Sequence, residues 1–399
     1  MVAAVVLLAG CTTAAPDAAS PSAPSPSASS AHTASPSPSP TPSPSVDEVP
    51  DLAGLVHDRW QDRVMEELPA WPVVTGQATL GLDGDVALDV TVDVPPDDDG
   101  TLVLRWLPAA PALGDAVDTL EVEVDDQPAT VEVDAAGARI LLPVSPGERH
   151  RVRVRADYTV PARDEIVDDG TPAGYGLLAR TDDAVMLGHW LPLVALPADD
   201  GPMQARGDVG AFPPAAWSLE VQHDGQLVSG AEEVPCPEPQ DDCTLLRGVG
   251  LRDVAAVLLA DAATATASEV AVHVPAGSGA AVDLEGVADE AAEVVATLAD
   301  SLGPLPWPTT EVVATPIGPG AAGMEFPGLV WVDTDAWPAP GPEFGSYVLA
   351  HELAHQWFHA LVGNGSLSAP VVDESLAQYL SVVAFDAVFG DGSGDELAA

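Results

Sequence analysis

His351-Glu352-Leu353-Ala354-His355, with Glu374 downstream, is the stretch from which the rest of the chain is read. On a helix, residues four apart share a face, so His351 and His355 can grip one metal ion. Glu352 points to a neighbouring azimuth, beside the metal rather than on it, where a general base is wanted. Eighteen residues separate His355 from Glu374. That leaves room for the helix to end, a loop to turn back and a second helix to deliver a carboxylate. Two imidazoles and one carboxylate form a zinc ligand set with an open fourth position, the pattern of a catalytic site. A surface helix that happens to carry two histidines is the competing reading. It fits poorly, because Tyr347, Val348, Leu349, Ala350, Leu353, Ala354, Trp357, Phe358, Leu361 and Val362 make the segment apolar. Burying the motif there without a partner would cost several kcal/mol.

His359 continues the i, i+4, i+8 series. A continuous helix rises about 1.5 Å per residue, which carries His359 about 6 Å past His355 and away from an ion held by the first two. Phe358 and Leu361 stand where an HExxHxxGxxH pattern needs Gly and His. His359 is therefore expected as a polar neighbour of the cleft, and Glu374 as the third ligand.

His351 to Asn364 reads HELAHQWFHALVGN, and Val371 to Leu380 reads VVDESLAQYL. Upstream stands Gly323-Met324-Glu325-Phe326-Pro327-Gly328. In this order and at these separations the segments resemble three motifs of the aminopeptidase N-like zinc metallopeptidases, gluzincins that usually show HExxHxW, NEGFAxY and a GxMEN segment. The resemblance implies an N-terminal antiparallel β-sandwich followed by a thermolysin-like α/β zinc metallopeptidase domain. It implies one Zn2+ per chain, and peptide substrates with a free N-terminus. Gly323, Met324 and Glu325 would run along the substrate, with Glu325 holding the α-ammonium. The chain departs from the pattern at Ala322, Phe326, Asp373 and Ser381. These departures bear on substrate selection and on the groups that support the ligands, and leave ligands and base in place. The family also carries a tyrosine well beyond the zinc glutamate, and further helices. Tyr347 and Tyr379 lie inside the motif helices, so the catalytic domain is expected to be truncated at its C-terminal end. A zinc endopeptidase of the thermolysin kind, or a non-catalytic surface binding module that keeps the fold, stay open beside the aminopeptidase reading.

The N-terminus reads MVAAVVLLAGC, and Leu8-Ala9-Gly10-Cys11 resembles a bacterial lipoprotein processing box. Residues 1–11 are expected to be a lipoprotein signal peptide with Cys11 lipidated. The Ser/Pro-rich tract over residues 12–47 follows, including SPSPSPTPSPS. Such a tract cannot form a core and favours extended PPII structure, which suits a linker. Cell-membrane anchoring through Cys11, outside the cytoplasm, is the expected localisation, since no later stretch is long and apolar enough to span a bilayer. Cys236 and Cys243 bracket a short polar loop, which in an oxidising compartment points to a local disulfide.

Acidic residues number 62 against 13 basic ones, and every basic residue is Arg. A net charge of −49 excludes nucleic acid as a partner and disfavours anionic surfaces. Residues 48–278 show short alternating segments such as 87–94, 119–124 and 150–155, with turn signals at Asp83-Gly84 and Asp224-Gly225. This predicts the β-sandwich. From Gly279 the pattern changes, so 279–399 is assigned to the catalytic domain. Val287, Ala291, Val294, Val295, Leu298 and Leu302 fit a helix ended by Gly303-Pro304. Strands over 311–315 and 329–332 then lead to the zinc helix.

Overall fold

The computed structural model describes residues 54–394 except 98, 135–137, 198–202, 204–208, 238–241, 278–282, 319–320, 338–340, 342, 366–368, 370 and 391. Cys11 and the linker over 12–47 lie outside the described residues.

The alternating segments form strands, as the period of two requires. In Asp85–Val94, Val86, Leu88, Val90 and Val92 turn inward. In His150–Thr159, His150, Val152, Val154, Ala156 and Tyr158 are buried, while Arg151, Arg153 and Arg155 face outward. Those arginines lie across from carboxylates on both neighbouring strands: Asp93 at 3.3 Å, Asp89 at 2.6 Å and Glu123 at 2.9 Å. Each exposed pair contributes only tenths of a kcal/mol, but together they favour one register.

These strands belong to an eight-stranded sheet. Its order is Glu232–Pro235, Cys243–Leu251, Ala215–His223, Val73–Leu80, Asp85–Val94, His150–Thr159, Val117–Val124 and Gln127–Pro128. Two four-stranded sheets accompany it. The expectation of a purely antiparallel sandwich needs correcting, because Val73–Leu80 pairs with Ala215–His223 in parallel. Alternation reports which face is buried and is silent on the direction of the neighbour. Cys236 and Cys243, whose Cα atoms lie 5.7 Å apart, are joined by a disulfide.

A mixed five-stranded sheet follows, in the order Ala262–Ala267, Val270–Pro275, Thr310–Thr315, Leu329–Asp333 and Gly323–Phe326. Its first two strands lie before residue 279, so the boundary expected at 278/279 falls inside this sheet and not at its edge. The composition change there marks the start of helix α2, not of the sheet. A short first helix, α1 (Asp58–Glu67), precedes all the sheets. Helix α2 (Leu284–Leu302) makes the crossover between two parallel strands. Asp283 caps its start by accepting from the Gly286 N–H at 3.1 Å, and Gly303 ends it at φ +98°. Helices α3 (Phe344–Ala354) and α4 (Val371–Phe389) pack on each other, and α3 also lies against the strands at 323–326 and 329–333. One hydrophobic core runs through the sheets and α2, α3 and α4, while Val64 of α1 packs in a smaller cluster with Leu55, Val56 and Val249. Among the described residues no helix is long and apolar enough to cross a membrane.

The two halves meet where the tip of the 323–333 hairpin touches the turn at Gly230. Gly328 sits at φ +72°, and a Cβ there would come within 2.6 Å of the Gly230 carbonyl oxygen. Gly114 shares the positive φ, +67°, but faces open space. Gly114→Ala should therefore cost about 1 kcal/mol for backbone strain alone, and Gly328→Ala clearly more, about 2–4 kcal/mol. Urea denaturation of the two variants checks the order; equal losses would mean that the hairpin tip is not tightly held.

Candidate metal centre

Helix α3 places His351 and His355 on one face, and the first turn of α4 brings Glu374 opposite. The two Nε2 atoms lie 3.2 Å apart. Glu374 Oε2 is 3.5 Å from His351 Nε2 and 4.0 Å from His355 Nε2. Ligands about 2.0–2.1 Å from a tetrahedral zinc ion stand about 3.3 Å from one another. The donor set therefore fits zinc. The Nδ1–H of His355 donates to the Phe358 carbonyl at 3.1 Å, which leaves Nε2 with its lone pair free for a metal. Burial, reinforced by His351 alongside, holds the His355 pKa well below its ordinary value and keeps the ring in its neutral, metal-binding form. Burial is uneven across the set: His355 is 1% exposed, whereas the Glu374 side chain is 57% exposed.

Glu352 is buried beside this cluster, and so is Glu325 on the edge strand. A carboxylate oxygen from each and one nitrogen of His355 all lie within 4.8 Å of one another. Gly323 owes its identity to the same neighbourhood. A Cβ there would lie 2.4 Å from the Glu352 side chain, so a larger residue would push the carboxylate away. Met324 and Phe326 are buried, and the Phe326 ring meets Trp331 at 4.6 Å and His189 at 5.3 Å. The aromatic residue at this departure point thus serves the core.

The zinc helix is shorter than the apolar run suggests. It ends at Ala354, and His359 adopts φ +144°. The chain closes instead through wider turns, with Ala360, Leu361 and Val362 N–H groups donating to the carbonyls of His355, Gln356 and Trp357. His359 is thus not one helical turn beyond His355. Its Nδ1 curls back to 3.8 Å from both Glu325 Oε1 and Asp373 Oδ2. The expectation that it neighbours the cleft without joining the ligand set describes its position; the reason is a broken helix, not a continued one.

Supporting residues were not visible as motifs. Gln356 is fully buried, donates to the Phe326 carbonyl at 3.0 Å and accepts from the Gly328 N–H at 2.8 Å. It clamps the 323–333 hairpin to the motif. Arg252 donates to the carbonyls of Ala360, Leu361 and Phe212, at 3.0, 3.3 and 2.6 Å. Burial lowers its pKa to about 10, so it stays charged at neutral pH. Glu290 on α2 accepts from the Gly341 N–H at 3.1 Å and bonds Ser346, placing a carboxylate at the start of α3. A buried amide beside the second histidine was the one available signal for Gln356.

No family model matches the sequence, and no curated protein does. Solved structures share the fold. The M1 zinc metallopeptidase of Deinococcus radiodurans is 18% identical with a TM-score of 0.53, over 79% of this chain and 71% of that one. A mutant of it bound to a Tyr-Ser-Ala substrate gives a TM-score of 0.51 at 18% identity, with the same coverage. Native leukotriene A4 hydrolase of Saccharomyces cerevisiae is 14% identical with a TM-score of 0.54, over 81% of this chain and 49% of that one. The chain therefore spans about half the length of the yeast enzyme. The multi-sheet α/β fold is the fold of M1 zinc metallopeptidase structures.

Two outcomes follow from this geometry. Glu374→Ala should lose most of the bound zinc in a metal assay of the purified protein, while His359→Ala should keep it; the reverse result would reassign the third ligand. Gly323→Ala should retain zinc yet lower turnover by about tenfold or more, because it displaces Glu352, a group of the kind that contributes a hundredfold or more.

Proposed function

We propose that the chain is a zinc-dependent peptidase, and specifically an aminopeptidase that removes N-terminal residues from peptides. The observation that carries this reading is the convergence of His351, His355 and Glu374 at the edge distances of a tetrahedral zinc site, with Glu352 and Glu325 buried next to it. The ligands of the structural neighbours support it. Yeast leukotriene A4 hydrolase was captured with bestatin, a mutant of the Deinococcus enzyme with a tripeptide, and a mutant two-domain M1 zinc metallopeptidase with L-arginine.

Zinc, when bound by His351, His355 and Glu374, supplies a Lewis acid that polarises a carbonyl and acidifies water. The remaining work falls to the protein. Glu352 takes the proton from the attacking water onto its carboxylate as the new C–O bond forms. It then delivers that proton to the leaving nitrogen as the C–N bond breaks, which returns the carboxylate to its starting state. Glu325, on the edge strand, pairs with the substrate's α-ammonium. Because it sits in the same cluster as Glu352, only the first peptide bond reaches the base, and the reaction is that of an exopeptidase. The strand at 323–326 ends its sheet, and a peptide could lie along that edge. Export and anchoring through Cys11 belong to the same proposal; the Cys236–Cys243 disulfide is in keeping with an oxidising compartment.

Glu352→Gln is expected to keep zinc and to lower hydrolysis by at least about a hundredfold, since the amide cannot accept the proton. A free-amino tripeptide should be cut by the unmodified protein and its N-acetylated form spared. Near-normal turnover by the variant would remove Glu352 as the base. Cleavage of the acetylated peptide would make the protein an endopeptidase.

A further inference from the structure

His359 holds a backbone conformation that its own chemistry does not favour. Its φ of +144° lies in a region that glycine adopts readily and residues with a Cβ seldom do. Such strain is stable only when the surroundings impose it. Here they do so from several sides. The His359 N–H donates to the Val362 carbonyl at 3.2 Å, and the preceding carbonyl, of Phe358, accepts from His355. Arg252 holds the next two carbonyls, of Ala360 and Leu361. A glycine would fit this turn without strain, so the turn itself does not explain the imidazole.

The side chain does offer an explanation. His359 Nδ1 lies 3.8 Å from Glu325 Oε1 and 3.8 Å from Asp373 Oδ2. These two carboxylates come from different elements. Glu325 is on the edge strand proposed to receive the substrate's amino group, and Asp373 precedes the third ligand on α4. Asp373 is 2% exposed, and its other oxygen accepts the Glu374 N–H at 2.9 Å. One oxygen is thus spent on the ligand's backbone while the other faces His359. One nitrogen of the imidazole thus faces two buried carboxylates from different elements.

We infer that His359 is the positioning residue of amino-terminal recognition: its imidazole, facing Glu325 and Asp373 through one nitrogen, fixes the Glu325 carboxylate where it can take an α-ammonium. The inference rests on the reading of Glu325 as the ammonium anchor. It places part of the selectivity for free over blocked N-termini in a residue that touches neither the scissile bond nor the metal. Across these 3.8 Å contacts the ring acts on both carboxylates by its bulk and through its electrostatic field.

The test uses the full chain, zinc-loaded, carrying Glu352→Gln so that peptide is bound and not cut. Calorimetry measures the affinity of the tripeptide Tyr-Ser-Ala and of its N-acetylated form. His359→Gly is then added. It relieves the backbone and removes the imidazole, so the melting temperature should hold or rise and the zinc content should not change. Affinity for the free tripeptide should fall about tenfold, the scale of losing support for one charged hydrogen bond, with no matching fall for the acetylated form. His359→Gln, with a polar amide of similar reach, should recover part of the preference, and His359→Leu, with bulk alone, should not. An unchanged preference in His359→Gly would overturn the inference while leaving Glu325 as the anchor. A lowered melting temperature with equal weakening of both peptides would make His359 merely structural and overturn it as well. Absence of any preference in the starting protein would remove the anchor reading itself, and this inference with it.

Discussion

Two imidazole Nε2 atoms 3.2 Å apart in a buried setting are the constraint around which the five-stranded sheet and its helices are arranged. With Nδ1–H of His355 committed to the Phe358 carbonyl, its Nε2 presents a lone pair toward its neighbour. Two such acceptors repel unless a cation lies between them. The protein must therefore supply rigidity from outside the pair. Glu290 fixes the start of α3, and Gln356 fixes the stretch just past its end. Tyr347 of α3 bonds Gln378 and meets Phe385 edge-on, which holds α4, and so Glu374, in place. Each of these contacts uses a polar or aromatic group whose partner is on another element. The site is as firm as the packing of three helices on one sheet allows.

The strands that come earlier in the chain are part of the same construction. They reach the site region at three places: Arg252 under the turn after the motif, Gly230 against the hairpin tip, and His189 on the ring of Phe326. All three bear on the sheet-edge hairpin or on the turn that follows the motif. The hairpin at 323–333 ends at a sheet edge, and the turn at 356–362 has left the helical ladder. Loops of this kind open readily unless something outside them closes their hydrogen bonds. Arg252 does so with one guanidinium shared among three carbonyls, a geometry that lysine could not reproduce.

The parts of this arrangement that could be read from sequence are those with a period. Alternation gave strands over 87–94 and 150–155, which run on to 85–94 and 150–159, and a helical stripe closed by Gly303-Pro304 gave the body and the end of α2. The spacing of His351, His355 and Glu374 gave the cluster, because helical geometry fixes i, i+4 and eighteen residues are just enough to turn around. What lacks a period stayed hidden. The parallel pairing of 73–80 with 215–223 joins residues far apart in the chain and leaves no local mark. The end of α3 at Ala354 stayed hidden too, because Phe358, Leu361 and Val362 continue an apolar pattern that a helix would also produce. Only backbone geometry shows that His359 breaks it. Gln356 and Arg252 act through carbonyl groups, which every residue has, so no spacing of side chains announces them.

The distribution of charge ties these levels together. The chain has 62 acidic residues, 13 arginines and no lysine, so positive charge is the scarce resource. Arg151, Arg153 and Arg155 spend theirs on a sheet surface, Arg139 on Asp134, and Arg252 on backbone carbonyls. The site, in contrast, gathers Glu325, Glu352, Asp373 and Glu374 around three histidines. Carboxylates gathered in such number, three of them buried, favour cations. Burial and the nearby His351 already disfavour a proton on His355, which limits what the imidazoles can contribute. The arginines just named are committed elsewhere, which leaves room for balancing charge from outside the chain. A divalent metal between His351, His355 and Glu374 and an ammonium group at Glu325 would each bring it, one resident and one arriving with the substrate. On that view the acidity of the cleft is not a by-product of an acidic composition. In the proposed reading it is the condition under which both cations would bind, and an N-terminally blocked peptide, which brings no charge, would be the poorer ligand.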